Sequence, residues 1–270
     1  DTNVNPLTTF KDRISARNLT PIDFKYEKAI GIEIETVCHL DTEGVKSKIP
    51  HFMRAATDGS IRTLDGNRPE DKKGCYGVEF RILVNRAEME SRVIRATDAL
   101  NKLDGKGVSV NKSCGLHVHF DMRDKTEPQA RALAEKTAKW LKVLTELLPK
   151  SRRNNNYCKF DCDLNEHHSA VSFGSYRKHK TIEIRAHSAT TNPTKIINWI
   201  KLIEVILATK FTPPTSKITT LDALKMLNLT EADRTYWLKR HQELNKELYP
   251  AGAVLDKSFL GDIQSEEEGA

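Results

Sequence analysis

Four short segments of this chain alternate oily and ionisable side chains, and that alternation constrains the fold more than any other feature. They are Gly31-Ile32-Glu33-Ile34-Glu35, Gly77-Val78-Glu79-Phe80-Arg81, Gly115-Leu116-His117-Val118-His119-Phe120 and Thr181-Ile182-Glu183-Ile184-Arg185-Ala186-His187. A β-strand sends successive side chains to opposite faces. Glu33 therefore shares a face with Glu35, His117 with His119, and Glu183 with Arg185. Ile32, Ile34, Val78, Phe80, Leu116, Val118, Ile182 and Ile184 point the other way, toward a core. If the strands share one sheet, its polar face gathers Glu33, Glu35, Glu79, Glu183, His117, His119, Arg81 and Arg185. Two carboxylates about 4 Å apart repel by roughly 4 kcal/mol at an effective dielectric near 20. Such a face persists only with bound cations or with protonation. The pattern predicts a metal site.

The chain has 270 residues, enough for one large domain or one domain with an appendix. A net charge of +6 suits an anionic ligand, whether a nucleotide or nucleic acid, although solvated Lys and Arg account for most such balances. No apolar run is long enough to span a bilayer. The most hydrophobic stretch, Ile196–Ala208, is interrupted by Lys201 and Glu204 and reads as a core helix. Five scattered cysteines and no visible signal peptide favour a reducing cytoplasm.

Along the chain, residues 1–27 read as an irregular N-terminal arm. A strand over Ala29–Val37 follows, then a polar stretch, Asp41–Pro69, with turn signals at Asp58-Gly59 and Asp65-Gly66. A second strand near Gly77–Val84 leads into a helix over Arg86–Leu103, whose apolar stripe is Met89, Val93, Ile94, Ala96 and Leu100. After the histidine strand, Thr126 and Pro128 open another helix, and its stripe runs to Leu148 before Pro149. Lys150–Asn156 reads as a polar loop. Asn192-Pro193 opens the hydrophobic helix, Thr212-Pro213-Pro214 reads as a linker, and helical patterns near Thr220–Leu227 and Glu231–Leu248 precede an acidic tail, Glu266–Glu268. The expected architecture is α+β: a catalytic domain over residues 28–210 with helices behind an antiparallel-rich sheet, and a helical C-terminal extension over 211–270.

Singly, each motif is modest. A Glu-x-Glu strand is usually a solvated face, and Glu183-Ile184-Arg185 fits a surface ion pair. His117-Val118-His119 can ligate a metal through both rings, or can be two hydrogen-bonded histidines. Their succession is more specific. Gly-Ile-Glu-Ile-Glu at 31–35, Asp-Gly-Ser at 58–60, Gly-Val-Glu-Phe at 77–80, Cys-Gly-Leu-His-Val-His at 114–119, Asn-Asn-Tyr-Cys at 155–158, Thr-Ile-Glu-Ile-Arg-Ala-His at 181–187 and Asn-Trp-Ile at 198–200 resemble the amidoligase family in its order. That family is a branch of the glutamine synthetase and glutamate–cysteine ligase superfamily of carboxylate–amine ligases.

The resemblance implies a curved sheet with helices packed on one face, as in the catalytic domain of glutamine synthetase. It also implies an ATP-dependent reaction: a carboxylate substrate takes the γ-phosphoryl group, and an amine displaces phosphate to leave an amide. Mg2+ is the implied metal, with Mn2+ an acceptable substitute. Glu33, His117 and Glu183 would hold the ion at the ATP phosphates, and Glu35 and Glu79 the ion nearer the acyl acceptor. His119 would lie beside the nucleotide, Arg185 would clamp the transferred phosphoryl group, and Asp58 would bind or deprotonate the amine. Arg152, Arg153, Asn156 and Lys159 are candidates for phosphate or substrate contacts. Peptide and protein substrates stay open. Two departures stand out: Arg81-Ile82-Leu83-Val84-Asn85 follows Glu79-Phe80 where a Ser-Pro-like end is expected, and Val171-Ser172-Phe173 stands where Asn is common.

Other classes stay open at this point. A metal-dependent hydrolase could use the same His and Glu cluster without a nucleotide. A non-catalytic basic protein could keep the fold and bind nucleic acid, although no nucleic-acid motif is present. Cys158, Cys162, His167 and His168 could bind zinc at an imperfect spacing. Cys38, Cys114, Trp140, Trp199 and Trp237 read as core residues.

Overall fold

The protein is described by a computed structural model that covers residues 28–62, 74–153, 155–156, 158–166, 168–214 and 217–249. The expected N-terminal arm, the Asp65-Gly66 turn and the acidic tail lie outside the described residues. Six strands form one sheet in the order β2-β3-β1-β4-β6-β5, every neighbouring pair antiparallel. They are β1 (Ala29–Cys38), β2 (Met53–Thr57), β3 (Tyr76–Asn85), β4 (Gly115–Asp121), β5 (Val171–Ser172) and β6 (Thr181–Ser188). The four alternating segments thus become the four central strands.

Their apolar faces merge with three long helices into one core. These are α2 (Met89–Lys102), α3 (Glu127–Val143) and α6 (Pro193–Ala208), which bury Val93 and Leu100, Trp140 and Leu141, and Trp199 and Ile203 respectively. Local chemistry sets their ends. The Thr126 hydroxyl accepts from the Gln129 amide while the Gln129 side chain accepts from the Thr126 amide, a reciprocal cap on α3. Asn192 caps α6 with Pro193 in its first turn. Asp104 and Gly105 take left-handed backbone angles just after α2. No described helix is long and apolar enough to cross a membrane.

Five points differ from the sequence reading. The polar stretch after β1 contains a short helix, α1 (Thr42–Lys46), and the edge strand β2. Ile94, placed on the apolar stripe of α2, is 52% exposed. The loop after Pro149 begins as a short helix, α4 (Lys150–Arg153), and another, α5 (Gly174–His179), precedes β6. The helix near Glu231–Leu248 ends earlier, as α8 (Glu231–Leu244), after α7 (Thr220–Met226). Finally, β6 carries a bulge. Leu116 pairs with His187 and Val118 with Ile184, so β6 advances three residues against two on β4. Strict alternation would put His187 on the polar face with Arg185. The extra residue turns it into the core, where its ring lies 5.1 Å from that of Trp199.

Candidate active site

The ladder aligns the polar residues across the sheet. Glu33 sits opposite Arg81 on one side and His117 on the other; Glu35 sits opposite Glu79, and His119 opposite Glu183. Because β1 and β4 are bonded on both flanks, these side chains rise from backbone that cannot drift. His117 stands at the centre. Its Nδ1 lies 3.5 Å from Glu33 Oε2 and 3.6 Å from Glu183 Oε1, and its Nε2 lies 3.5 Å from Glu35 Oε1. His119 Nε2 is 3.6 Å from Glu33 Oε1, and its Nδ1 is 3.0 Å from the Thr181 hydroxyl, which fixes the ring.

The remaining contacts hold the carboxylates in place. The Gly115 amide donates to Glu35 Oε2 at 2.6 Å, Ser175 from α5 donates to Glu183 Oε2 at 2.8 Å, and Arg185 donates to Glu183 Oε1 at 2.6 Å. Asp58 follows β2 and joins Glu35 and Glu79. Three sets of donor atoms are each compact enough to share one ion: Glu33–His119–Glu183, Glu33–Glu79–His117 and Glu35–Asp58–Glu79.

Electrostatics divide the face into two halves. Burial is the largest single influence and opposes ionisation of Glu183 and Glu33, but His119 and His117, joined for Glu183 by Arg185, together outweigh it. Glu183 is held down to about 2, and Glu33 well below the usual carboxylate range. Glu35 and Glu79 behave oppositely. Burial raises both, and the Glu33 charge helps carry Glu79 to about 7. His117 and His119 are raised: burial works against their protonated forms, but the surrounding carboxylates favour them more.

The donor set suits a hard divalent cation. Buried His117 Nδ1 has no hydrogen-bond partner, yet two carboxylate oxygens stand at 3.5–3.6 Å from it, too far to accept a proton. Ligand atoms about 2.1 Å from one six-coordinate ion stand roughly 3 Å apart, so this spacing fits ligands around a common centre better than hydrogen-bonded neighbours.

A profile of the family described as "Putative amidoligase enzyme" matches residues 29–170, just over half of the chain. The chain belongs to the amidoligase family. It is thereby an enzyme of the ligase type, acting on a carboxylate and an amine. No curated protein matches the chain. The matched span of this amidoligase carries Glu33, Glu35, Asp58, Glu79, His117 and His119, while Glu183 and Arg185 lie beyond it and join the cluster through the β4–β6 ladder.

The residues expected in or beside the Lys150–Asn156 loop separate. Arg152 is buried at the end of the cluster, its Nη2 donating to the Cys114 carbonyl and lying on the same side of Gly115 as the His117 ring. Arg153 turns away from that side: its guanidinium donates to the Leu148 and Glu146 carbonyls and, at 2.7 Å, to Asn245 Oδ1 just past α8. Lys159 and Asn156 are exposed. Among the described residues Cys158 and Cys162 join no metal-competent group, and His167 lies outside them. A cleft of about 960 Å³, lined by Lys142, Pro213, Ile218, His241 and Tyr249, shares no residue with the cluster.

Ser175 and Thr181 escaped the sequence reading. Neither belongs to an alternating pair of ionisable groups, and only the fold brings α5 and the start of β6 beside Glu183 and His119. Arg81 was legible as part of the polar face, but its ion pair with Glu79 was not.

Proposed function

We propose that this chain is an ATP- and Mg2+-dependent carboxylate–amine ligase, built like the catalytic domain of glutamine synthetase. The carboxylate substrate attacks the γ-phosphorus of ATP and releases ADP. The amine then attacks the acyl phosphate, phosphate leaves, and an amide remains. The observation that carries this reading is buried His117, whose Nδ1 has no hydrogen-bond partner and faces Glu33 of β1 and Glu183 of β6 while its Nε2 faces Glu35.

Phosphoryl transfer asks a protein chiefly for positioning and for neutralisation of spreading negative charge. Glu33, His117 and Glu183, with His119 close by, would hold one divalent cation; Glu35, Glu79 and Asp58 would hold another. Bound there, the ions supply Lewis-acid neutralisation of phosphate oxygens. Arg185, kept on the cluster by Glu183, offers a planar guanidinium to the transferred phosphoryl group. Asp58, at the rim of the face, receives the proton that the amine must lose as the amide forms. Thr181 and Ser175 orient His119 and Glu183.

The experiment is calorimetric titration of ATP with and without Mg2+, on wild type and on a Glu33→Ala/Glu183→Ala double variant whose fold is verified by circular dichroism. Mg2+-dependent binding that disappears in the variant supports the reading and justifies a screen of acid and amine pairs. Binding that ignores Mg2+, or that survives in the variant, refutes it.

A further inference from the structure

Glu35 belongs to β1 and Asp58 follows β2, yet one turn of the chain holds both. That turn, Asn111–Cys114, leads into β4, and its Cys114 amide donates to the Asn111 carbonyl at 3.0 Å. Gly115 comes directly after it, and the Gly115 amide fixes Glu35. The start of the turn reaches across to the segment that carries Asp58. Asn111 Nδ2 donates to the Arg62 carbonyl at 2.6 Å, and the Arg62 amide donates to Ser113 Oγ at 2.9 Å. Asn111 Oδ1 accepts from the Ser113 amide at 2.8 Å and from its hydroxyl at 2.7 Å. Both backbone groups of Arg62 are thereby paired with side chains of the turn.

Residues 58–62 form neither helix nor strand, so other contacts must place them. At the front, the Asp58 amide donates to the Gly77 carbonyl at 3.0 Å, and a Cβ on Gly77 would meet the Asp58 carbonyl oxygen at 2.5 Å. Within the segment, Asp58 Oδ1 accepts from the Ser60 amide at 2.7 Å, and the Arg62 guanidinium donates to the Gly59 and Ile61 carbonyls. The carboxylate therefore moves with its loop, and the loop is fastened at the rear through Arg62. We propose that Asn111 is a positioning residue: with Ser113 it clasps Arg62 and so sets Asp58 beside Glu35 and Glu79. Theirs is the one donor set that includes a residue from outside the four central strands. This rests on the metal-dependent reading given under the proposed function. Outer partners that orient a ligand change metal affinity without touching the ion, by about 10–100-fold.

The test is titration of the full chain with Mn2+ alone, free ion being read by electron paramagnetic resonance. The proteins are wild type, Asn111→Ala, Ser113→Ala, Asp58→Asn and the Asn111→Ala/Asp58→Asn double variant, with thermal melts checking each fold. Asp58→Asn is expected to weaken one bound Mn2+ and spare the other. Asn111→Ala is expected to weaken the same ion by about 10–100-fold, and Ser113→Ala, the second variant should Asn111→Ala not fold, acts in the same direction. In the double variant Asn111→Ala is expected to add nothing, because its effect passes through Asp58. A general loosening of the fold would instead weaken both ions or add to the Asp58→Asn loss. Wild-type Mn2+ affinities in folded Asn111→Ala and Ser113→Ala, weakening of both ions, or additive losses in the double variant would overturn the proposal while leaving the metal reading intact. No Mn2+ binding by wild type would overturn both.

Discussion

Gly115 offers the sharpest test of how tightly the polar face is built. It opens β4, and its backbone angles are not in the left-handed region, so alanine would be tolerated on conformational grounds alone. Alanine there should even add a few tenths of a kcal/mol, up to about 1, by restricting the unfolded chain. The obstacle is steric. A Cβ on Gly115 would meet His117 Nε2 at 2.6 Å and Arg152 Nη2 at 3.3 Å. An ordinary contact near 3.5 Å requires the imidazole to retreat by roughly 0.9 Å. It has little room, since Glu33, Glu35 and Glu183 already lie against it. Overpacking of this kind costs about 1–3 kcal/mol, and a displacement of about 1 Å at reacting groups can cost about 100-fold in rate. Gly115→Ala is therefore expected to lose no more than about 3 kcal/mol in urea unfolding, and to weaken Mg2+-dependent ATP binding or turnover by about 100-fold. Wild-type nucleotide binding and turnover in a folded Gly115→Ala protein would show that His117 does not need its present position.

Two further perturbations separate structural roles from chemical ones. Arg153→Ala removes a guanidinium bonded to the Glu146 and Leu148 carbonyls and to Asn245, and is expected to cost about 2–3 kcal/mol of stability in urea unfolding; an unchanged midpoint with weakened ATP binding would return Arg153 to the nucleotide site. Burial lowers His187 from 6.5 to about 4, so the unfolded chain takes up its proton first as the pH drops. The contribution to stability is complete above pH 6.5 and declines by roughly 3 kcal/mol as the pH falls to 4. The difference between wild type and His187→Gln in urea unfolding should narrow by that amount over this range, and parallel pH profiles would refute the assignment.

The central sheet was legible because period-two alternation is dictated by strand geometry, and four segments displayed it with charged residues on one side. The edge strand β2 was not, because Met53-Arg54-Ala55-Ala56-Thr57 offers little contrast between its faces. The bulge was invisible for a different reason. Alternation places His187 with Arg185, and nothing local announces that β6 gains a residue against β4. Arg152 and Arg153 read alike as adjacent basic residues, yet they lie on a helical turn, where neighbours point about 100° apart. One is buried beside Gly115 and the other holds the segment after α8. Ser175 and Thr181 could not be found at all, since a hydroxyl beside a carboxylate or an imidazole is a tertiary fact.

The asymmetry of the face follows from the same register that creates it. Glu33 and Glu183 face the two histidines of β4 across the β1–β4 and β4–β6 ladders, so their charges are compensated within the sheet. Glu35 and Glu79 face each other across β1–β3, a like-charged cross-strand pair that a sheet does not tolerate without help. Help comes from the Gly115 amide on one carboxylate and Arg81 on the other. Neither gives the pair the two positive charges it would need for full ionisation, which is why burial dominates there and leaves Glu79 near 7. Of the two halves, the Glu35–Asp58–Glu79 half therefore has the greater need of an added cation.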